Sequence, residues 1–158
     1  MIKTMPRYIV AIGGGDIRTR GTSPIDREII RLSNKKHPRL LFIPTASSDS
    51  ERYWRHVQED FGRFLKCKTD VLFLIEKRTT REMIRKKILG SDVIYVGGGN
   101  TLLMMRVWRR LGLIGSLDSL MKTELCCPGS VRVRSAGLIL GIPIPCRFIV
   151  RKNGSASM

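Results

Sequence analysis

The sequence predicts an α/β fold, a mostly parallel sheet with helices on both faces, and three observations carry that prediction. Short apolar runs alternate with amphipathic stretches as far as Glu124, the pattern of a parallel sheet covered by helices. Two of the runs, Tyr8 to Ile12 and Val93 to Val96, close in glycine clusters, Gly13-Gly14-Gly15-Asp16 and Gly97-Gly98-Gly99-Asn100-Thr101. A helix-like stretch from Leu102 to Leu111 follows the second cluster. A strand that ends in glycines before a helix sets backbone N–H groups at the carboxyl edge of a parallel sheet, where open α/β folds bind ligands.

The elements follow in order. Tyr8 to Ile12 is the first strand; its apolar stretch is too short for a signal peptide. Ser23 and Pro24 open a helix from Ile25 to Ser33, with Ser23 as N-cap and Pro24 at the first helical position. The second strand, Arg39 to Ile43, runs into Pro44-Thr45-Ala46-Ser47. One helix then spans Ser50 to Leu65, because Tyr53, Trp54, Val57, Phe61, Phe64 and Leu65 recur at helical spacing. The third strand is Asp70 to Ile75. Thr79-Thr80 caps a helix from Arg81 to Leu89, and the fourth strand is Asp92 to Val96. A helix from Thr101 to Arg110 and another from Ile114 to Met121 complete this part.

Beyond Glu124 the pattern changes. Ser130 to Arg134 alternates like a strand, and Ser135-Ala136-Gly137 forms the next turn. No helix follows: Ile142-Pro143-Ile144-Pro145 forbids one and suits only an edge strand or extended segment. Residues 1–137 therefore read as a single α/β domain and 138–158 as an aberrant basic tail.

Composition narrows the function. The chain has 158 residues, 42% apolar and 27% charged, within the globular range and of one-domain length. No run of eighteen apolar residues offers a membrane span. Cys67, Cys126, Cys127 and Cys146 lack metal or redox spacing, which suits reduced thiols and a cytoplasmic location. The net charge is +16, and all 13 acids lie at or before Glu124. A solvated basic surface accounts for it; no helix-turn-helix, zinc-finger or RNP pattern points to specific nucleic-acid binding. Polyanion binding through that surface would show as affinity falling steeply with salt.

Ser135 is the candidate nucleophile. It sits at the turn after a strand beside the small residues Ala136 and Gly137, as a nucleophile elbow requires, although Val133 stands where glycine is usual and the helix of such an elbow is replaced by the proline-rich run. Backbone N–H groups of Gly98 or Gly99 with that of Ala136 could form an oxyanion hole. A working serine nucleophile also needs a base oriented by an acid, and the only histidines are His37 and His56, both before the serine and both read as surface or boundary residues. Arg18 and Arg20, near the first glycine turn, are placed in a solvated loop.

Gly97-Gly98-Gly99-Asn100-Thr101 with its following leucines and Trp108, together with Ile43-Pro44-Thr45-Ala46-Ser47 and Ile12-Gly13-Gly14-Gly15, resembles the dipeptidase E (aspartyl dipeptidase) family of serine peptidases. The resemblance covers Tyr8 to Glu124, and Ser135-Ala136-Gly137 matches the family's nucleophile turn. It implies a flavodoxin-like, class I glutamine amidotransferase-like fold, hydrolysis of dipeptides such as those with N-terminal aspartate, and no metal or cofactor. It further implies Ser135 as nucleophile, Gly98 and Ala136 as oxyanion donors, and substrate contacts at Gly99, Asn100 and Thr101. The expected partner is a small peptide.

The family's histidine and acid lie downstream of the serine, and no His, Asp or Glu follows Glu124 here. The resemblance thus implies a C-terminally truncated or frameshifted relative with little activity. With suitable synonymous codons, Gly137 to Ile149 read two bases on gives Phe-Asp-Ser-Gly-Tyr-Ser-Asp-Ser-Val-Pro-Ile-His, similar to the family's sequence after the nucleophile. Sequencing the gene in all frames tests this: a frame that never resumes family sequence with a histidine sinks it. Missing strands would leave an exposed sheet edge open to self-association. The alternative is a non-catalytic module binding a small anion at the two glycine clusters.

Overall fold

The computed structural model describes residues 8–12, 17–75, 79–115, 117, 131–135 and 147–151, the last two segments through their backbone alone. Six parallel strands form one sheet. They are β1 (Tyr8–Ile12), β2 (Arg39–Ile43), β3 (Lys68–Val71), β4 (Val93–Val96), β5 (Val131–Ser135) and β6 (Arg147–Arg151), in the spatial order β3-β2-β4-β5-β1-β6. The helices are α1 (Ser23–Leu32), α2 (Glu51–Val57), α3 (Arg81–Leu89) and α4 (Thr101–Leu111). Residues 113–115 and 117 are helical as well.

Alternation along the strands builds two cores. Leu40, Phe42, Val93 and Tyr95 point to one face and pack with Ile25 and Ile29 of α1, Val57 of α2 and Phe61. Leu41, Ile43, Ile94 and Val96 point to the other and pack with Ile84 and Ile88 of α3, Val107 and Trp108 of α4, and Leu113. Both faces of β2 and β4 are therefore buried, which explains why their sequences are continuously apolar rather than alternating. The expected helices on both faces are present.

Several elements depart from the sequence reading. Thr22, not Ser23, is the N-cap of α1, and its hydroxyl makes no capping bond because it donates to Asp26 Oδ2 at 2.7 Å. The long helix expected over Ser50 to Leu65 is α-helical only to Val57; Gln58–Phe64 is a π-helix. A π-helix, with its i→i+5 bonds, is rare, and apolar residues at helical spacing carry no signal for where one replaces an α-helix. The third strand begins and ends earlier than Asp70 to Ile75. The Leu72 N–H still donates to the Phe42 carbonyl of β2 at 2.9 Å, and the chain then leaves the sheet: the N–H groups of Leu74 and Ile75 donate to the Asp49 carboxylate at 2.5 and 2.6 Å. The run stays buried there, Leu72 and Leu74 included, so its hydrophobicity marks burial and not strand pairing.

β5 ends one residue later than the alternation suggests, on Ser135 itself. The strand β6, within the segment 138–158 read as a tail, lies parallel to β1 with Tyr8 opposite Arg147 and Ile12 opposite Arg151. The sheet edges are thus β3 and β6, and β1 is interior. Gly13 to Asp16, Ala136, Gly137 and Cys126, Cys127 and Cys146 lie outside the described residues.

Candidate active site

The site begins with strand register. Ile12 at the end of β1 is opposite Ser135 at the end of β5. On the other side of β5, Tyr95 is opposite Val133, so extending that register two residues places Gly97 level with Ser135. Three central strands, β4, β5 and β1, therefore finish together at the carboxyl edge of the sheet. The two glycine clusters leave from either side of the strand that ends in Ser135.

The loop after β4 is held by its neighbours. The Gly97 N–H donates to the Ile43 carbonyl at 3.1 Å, and the Asn100 N–H donates to the Ala46 carbonyl at 2.6 Å. A Cβ on Gly97 would press on the Phe42 and Tyr53 rings at 3.1 Å. Gly99 has φ of +141°, and a Cβ there would overlap the Ala46 carbonyl. Only glycine satisfies both the conformation and the close approach. Between these anchors the N–H of Gly98, a half-buried residue, has no hydrogen-bond partner among the described residues.

Asn100 and Thr101 start α4. Asn100 is its N-cap, with Oδ1 accepting from the Leu103 N–H at 3.0 Å. That bond explains an asparagine after three glycines without any ligand. The loop after β2 is the buttress: Trp108 Nε1 donates to Thr45 Oγ1 at 3.2 Å inside the core, and the Ser47 hydroxyl donates to the Pro44 carbonyl at 2.9 Å. Asp49 then ties this loop to Leu74 and Ile75. The sequence reading took the two motifs as a specific pair. It missed that Ala46 and Thr45 carry the glycine loop; Trp108, buried on α4 at 4% exposure, was the available signal.

The histidines are placed differently. His37 is exposed in the loop before β2, with Nδ1 2.9 Å from the Lys66 carbonyl near the start of β3. That is the amino edge of the sheet, opposite the glycine loops. His56 is half-buried on α2, and its Nε2 is enclosed without a hydrogen-bond partner among the described residues. Neither position places an imidazole at the end of β5 by any contact of the structure.

Ionisable groups gather on the α1–α2 side. Burial raises the Asp26 carboxyl to about 6, with the Thr22 hydroxyl opposing and Asp60 reinforcing. Burial also raises Asp60, against the pull of Arg20, and raises Tyr95 well above the usual phenol. Arg20 is not in a merely solvated loop: its guanidinium is 3.4 Å from Asp60 and lies 3.8 Å over the Phe64 ring. Burial pushes the Cys67 thiol up to about 12, so it is no nucleophile. Among the described residues no group of His, Cys, Asp and Glu could hold a metal ion, and no helix is long and apolar enough to cross a membrane.

A fully parallel sheet with helices on both faces, its central strands ending together in glycine loops and a serine, defines an α/β protein of the flavodoxin-like class. A family model described as "Peptidase family S51" matches residues 9–139, and the chain belongs to that family. It is 34% identical over 124 residues to the uncharacterized peptidase YgaJ of Bacillus subtilis (strain 168), a match that covers 78% of this chain and 53% of that protein. A solved structure of a candidate peptidase E protein from Listeria monocytogenes EGD-e superposes with a TM-score of 0.51 at 18% identity, covering 72% of this chain and 52% of the other. The chain thus spans about half the length of these relatives.

Proposed function

We propose that this chain carries the nucleophile and oxyanion side of a serine dipeptidase of the dipeptidase E type, with Ser135 as nucleophile and the N–H groups of Gly98 and Ala136 as oxyanion donors. The supporting observation is the uncommitted Gly98 N–H at the edge where β4 and β5 end level. An oxyanion donor must be held in place and still be free to bond, and Gly98 meets both requirements. Gly97 and Asn100 spend their own N–H groups in fixing the loop, and the Gly99 N–H, like that of Gly98, has no partner among the described residues.

In the reaction, the Ser135 hydroxyl attacks the peptide carbonyl and loses its proton to a base. The carbonyl oxygen takes the negative charge between the two N–H donors, the amine leaves with a proton, and water releases the acyl group. The substrate class is a dipeptide, including those with N-terminal aspartate, held along Gly99, Asn100 and Thr101. The base is the missing part: His37 lies at the opposite edge, and His56 sits on α2. Loss of a triad member in serine proteases costs on the order of 10⁴–10⁶ in kcat.

The chain by itself is therefore expected to hydrolyse aspartyl dipeptides at a rate close to background, unchanged by Ser135→Ala. A fluorophosphonate probe should fail to label it. Rapid hydrolysis abolished by Ser135→Ala would show that a base within this sequence serves the serine. Labelling at a different residue would refute Ser135 as nucleophile.

A further inference from the structure

The two helical layers differ in charge. On one face, α1, α2 and the π-helix carry five basic and five acidic residues. On the other, α3 and α4 carry seven basic residues, Arg81, Arg85, Lys86, Lys87, Arg106, Arg109 and Arg110, against the single acid Glu82. Six of the seven are exposed, and only Lys87, bound to Asp70 at 2.7 Å, has an ion pair among the described residues. The two helices come together at one end, where the Arg81 guanidinium at the start of α3 would lie 3.8 Å from a Cβ placed on Gly112, just past the end of α4. Like charges on one face with few acidic partners repel each other in the free protein, so a polyanion gains from relieving that repulsion as well as from direct attraction.

We infer that the α3–α4 layer is a docking face for the phosphate backbone of a nucleic-acid duplex, bound without sequence preference. The partner's form follows from what the face lacks. Its exposed large apolar residues are Met83 and Leu102, and the aromatic Trp108 is buried. A face without exposed aromatic rings has no platform for unstacked bases, so it suits a paired duplex better than a single strand. The helices are about 14 and 16 Å long, comparable to half a turn of a duplex that carries one phosphate per 1.7 Å or so. This face lies on the flank of the sheet and does not depend on the peptidase reading.

The test measures binding of the full chain to a fluorescent 20-base-pair duplex across a salt series. Micromolar affinity is expected at low salt, with log K falling linearly in log salt. The triple variant Arg106→Gln, Arg109→Gln, Arg110→Gln should bind at least tenfold more weakly, with a salt slope lower by about 2–3. The variant Arg27→Gln, Arg52→Gln, Arg55→Gln removes the same charge from the exposed surface of the other layer and should change affinity less than about threefold. Equal loss in both variants would overturn the inference, since net charge alone would then explain binding. Equal or tighter binding of polyglutamate would also overturn it, by assigning the face to acidic protein. A second measurement needs no variant: the duplex should protect Lys86, but not the exposed Lys36, from acetylation. Failure to protect Lys86 counts against the inference even if the arginine variants do not fold.

Discussion

The layer of α1, α2 and the π-helix and the layer of α3 and α4 cover the same sheet but handle polar groups in opposite ways. The first balances its basic residues with acids and takes ionisable groups inside: Asp26 is buried at 2% exposure, and Tyr95 at 4% lies among Ile25, Phe42 and Phe61. The second keeps its interior almost wholly apolar, around Leu41, Ile43, Ile84 and Ile88, and places its charges outside. The comparison teaches that net charge reports on neither layer by itself. A chain of +16 has one nearly balanced face. It also separates what should respond to pH from what should respond to salt.

The largest effect that would sharpen this contrast comes from the apolar layer. Trp108→Ala removes a buried ring and the bond to Thr45, and should cost about 3–5 kcal/mol. Its hydrogen-bond partner Thr45 and the apolar residues packed with it do not titrate, so the loss should be the same in denaturant melts at pH 5 and pH 8. A difference above roughly 1 kcal/mol would break the distinction between the layers.

The next effect belongs to the polar layer. Asp26 titrates near 6 when folded, and a free aspartate near 3.9. Below about pH 4 both states are protonated and the group contributes nothing. Between 4 and 6 only the unfolded chain ionises, so stability falls as pH rises; above 6 the penalty is constant. Asp26→Asn, which can still accept from Thr22, should therefore stabilise the protein by about 2–3 kcal/mol at pH 7 and not at all below pH 4. An unchanged midpoint at both pH values would show that Asp26 is not buried as described.

The smallest effect should be shared. Ser50→Ala and Thr80→Ala remove the side-chain caps of α2 and α3, one in each layer, and each should cost about 1 kcal/mol. Chemical denaturation of the two variants would show unequal losses only if one helix start were already frayed.

The sheet was legible where both faces are buried. β1 and β2 fall where their apolar runs begin and end, and β4 starts one residue late, at Val93. The cap at Thr80 was visible because a hydroxyl just before a helix can accept from its first turn; Ser50, read only as the start of its helix, is a cap as well. The glycine loop after β4 was legible as a site, since Gly97 to Thr101 and Ile43 to Ser47 are specific together. Their mutual contact, the Asn100 N–H to the Ala46 carbonyl, was not, because it joins residues 54 apart through backbone atoms that any sequence possesses. The π-helix and the departure of Leu74 and Ile75 from the sheet were hidden for a similar reason. Phe61 in the one and Leu74 in the other stay buried, and what changes is where the N–H groups go. β6 was obscured by the prolines before it, which end helix patterning but do not prevent a strand further on.

The order β3-β2-β4-β5-β1-β6 also sets a timetable for synthesis. β2, β3 and β4 pair among themselves and can assemble once Val96 has been made. β1, the first strand made, has no partner until Val131 appears opposite Tyr8, 123 residues later. At ribosomal speeds of about 5–20 residues per second that wait is on the order of ten seconds, during which Ile9, Val10 and Ile12 stay unpaired. The strand leading to the first glycine cluster is thus the part of the nascent chain most in need of a chaperone.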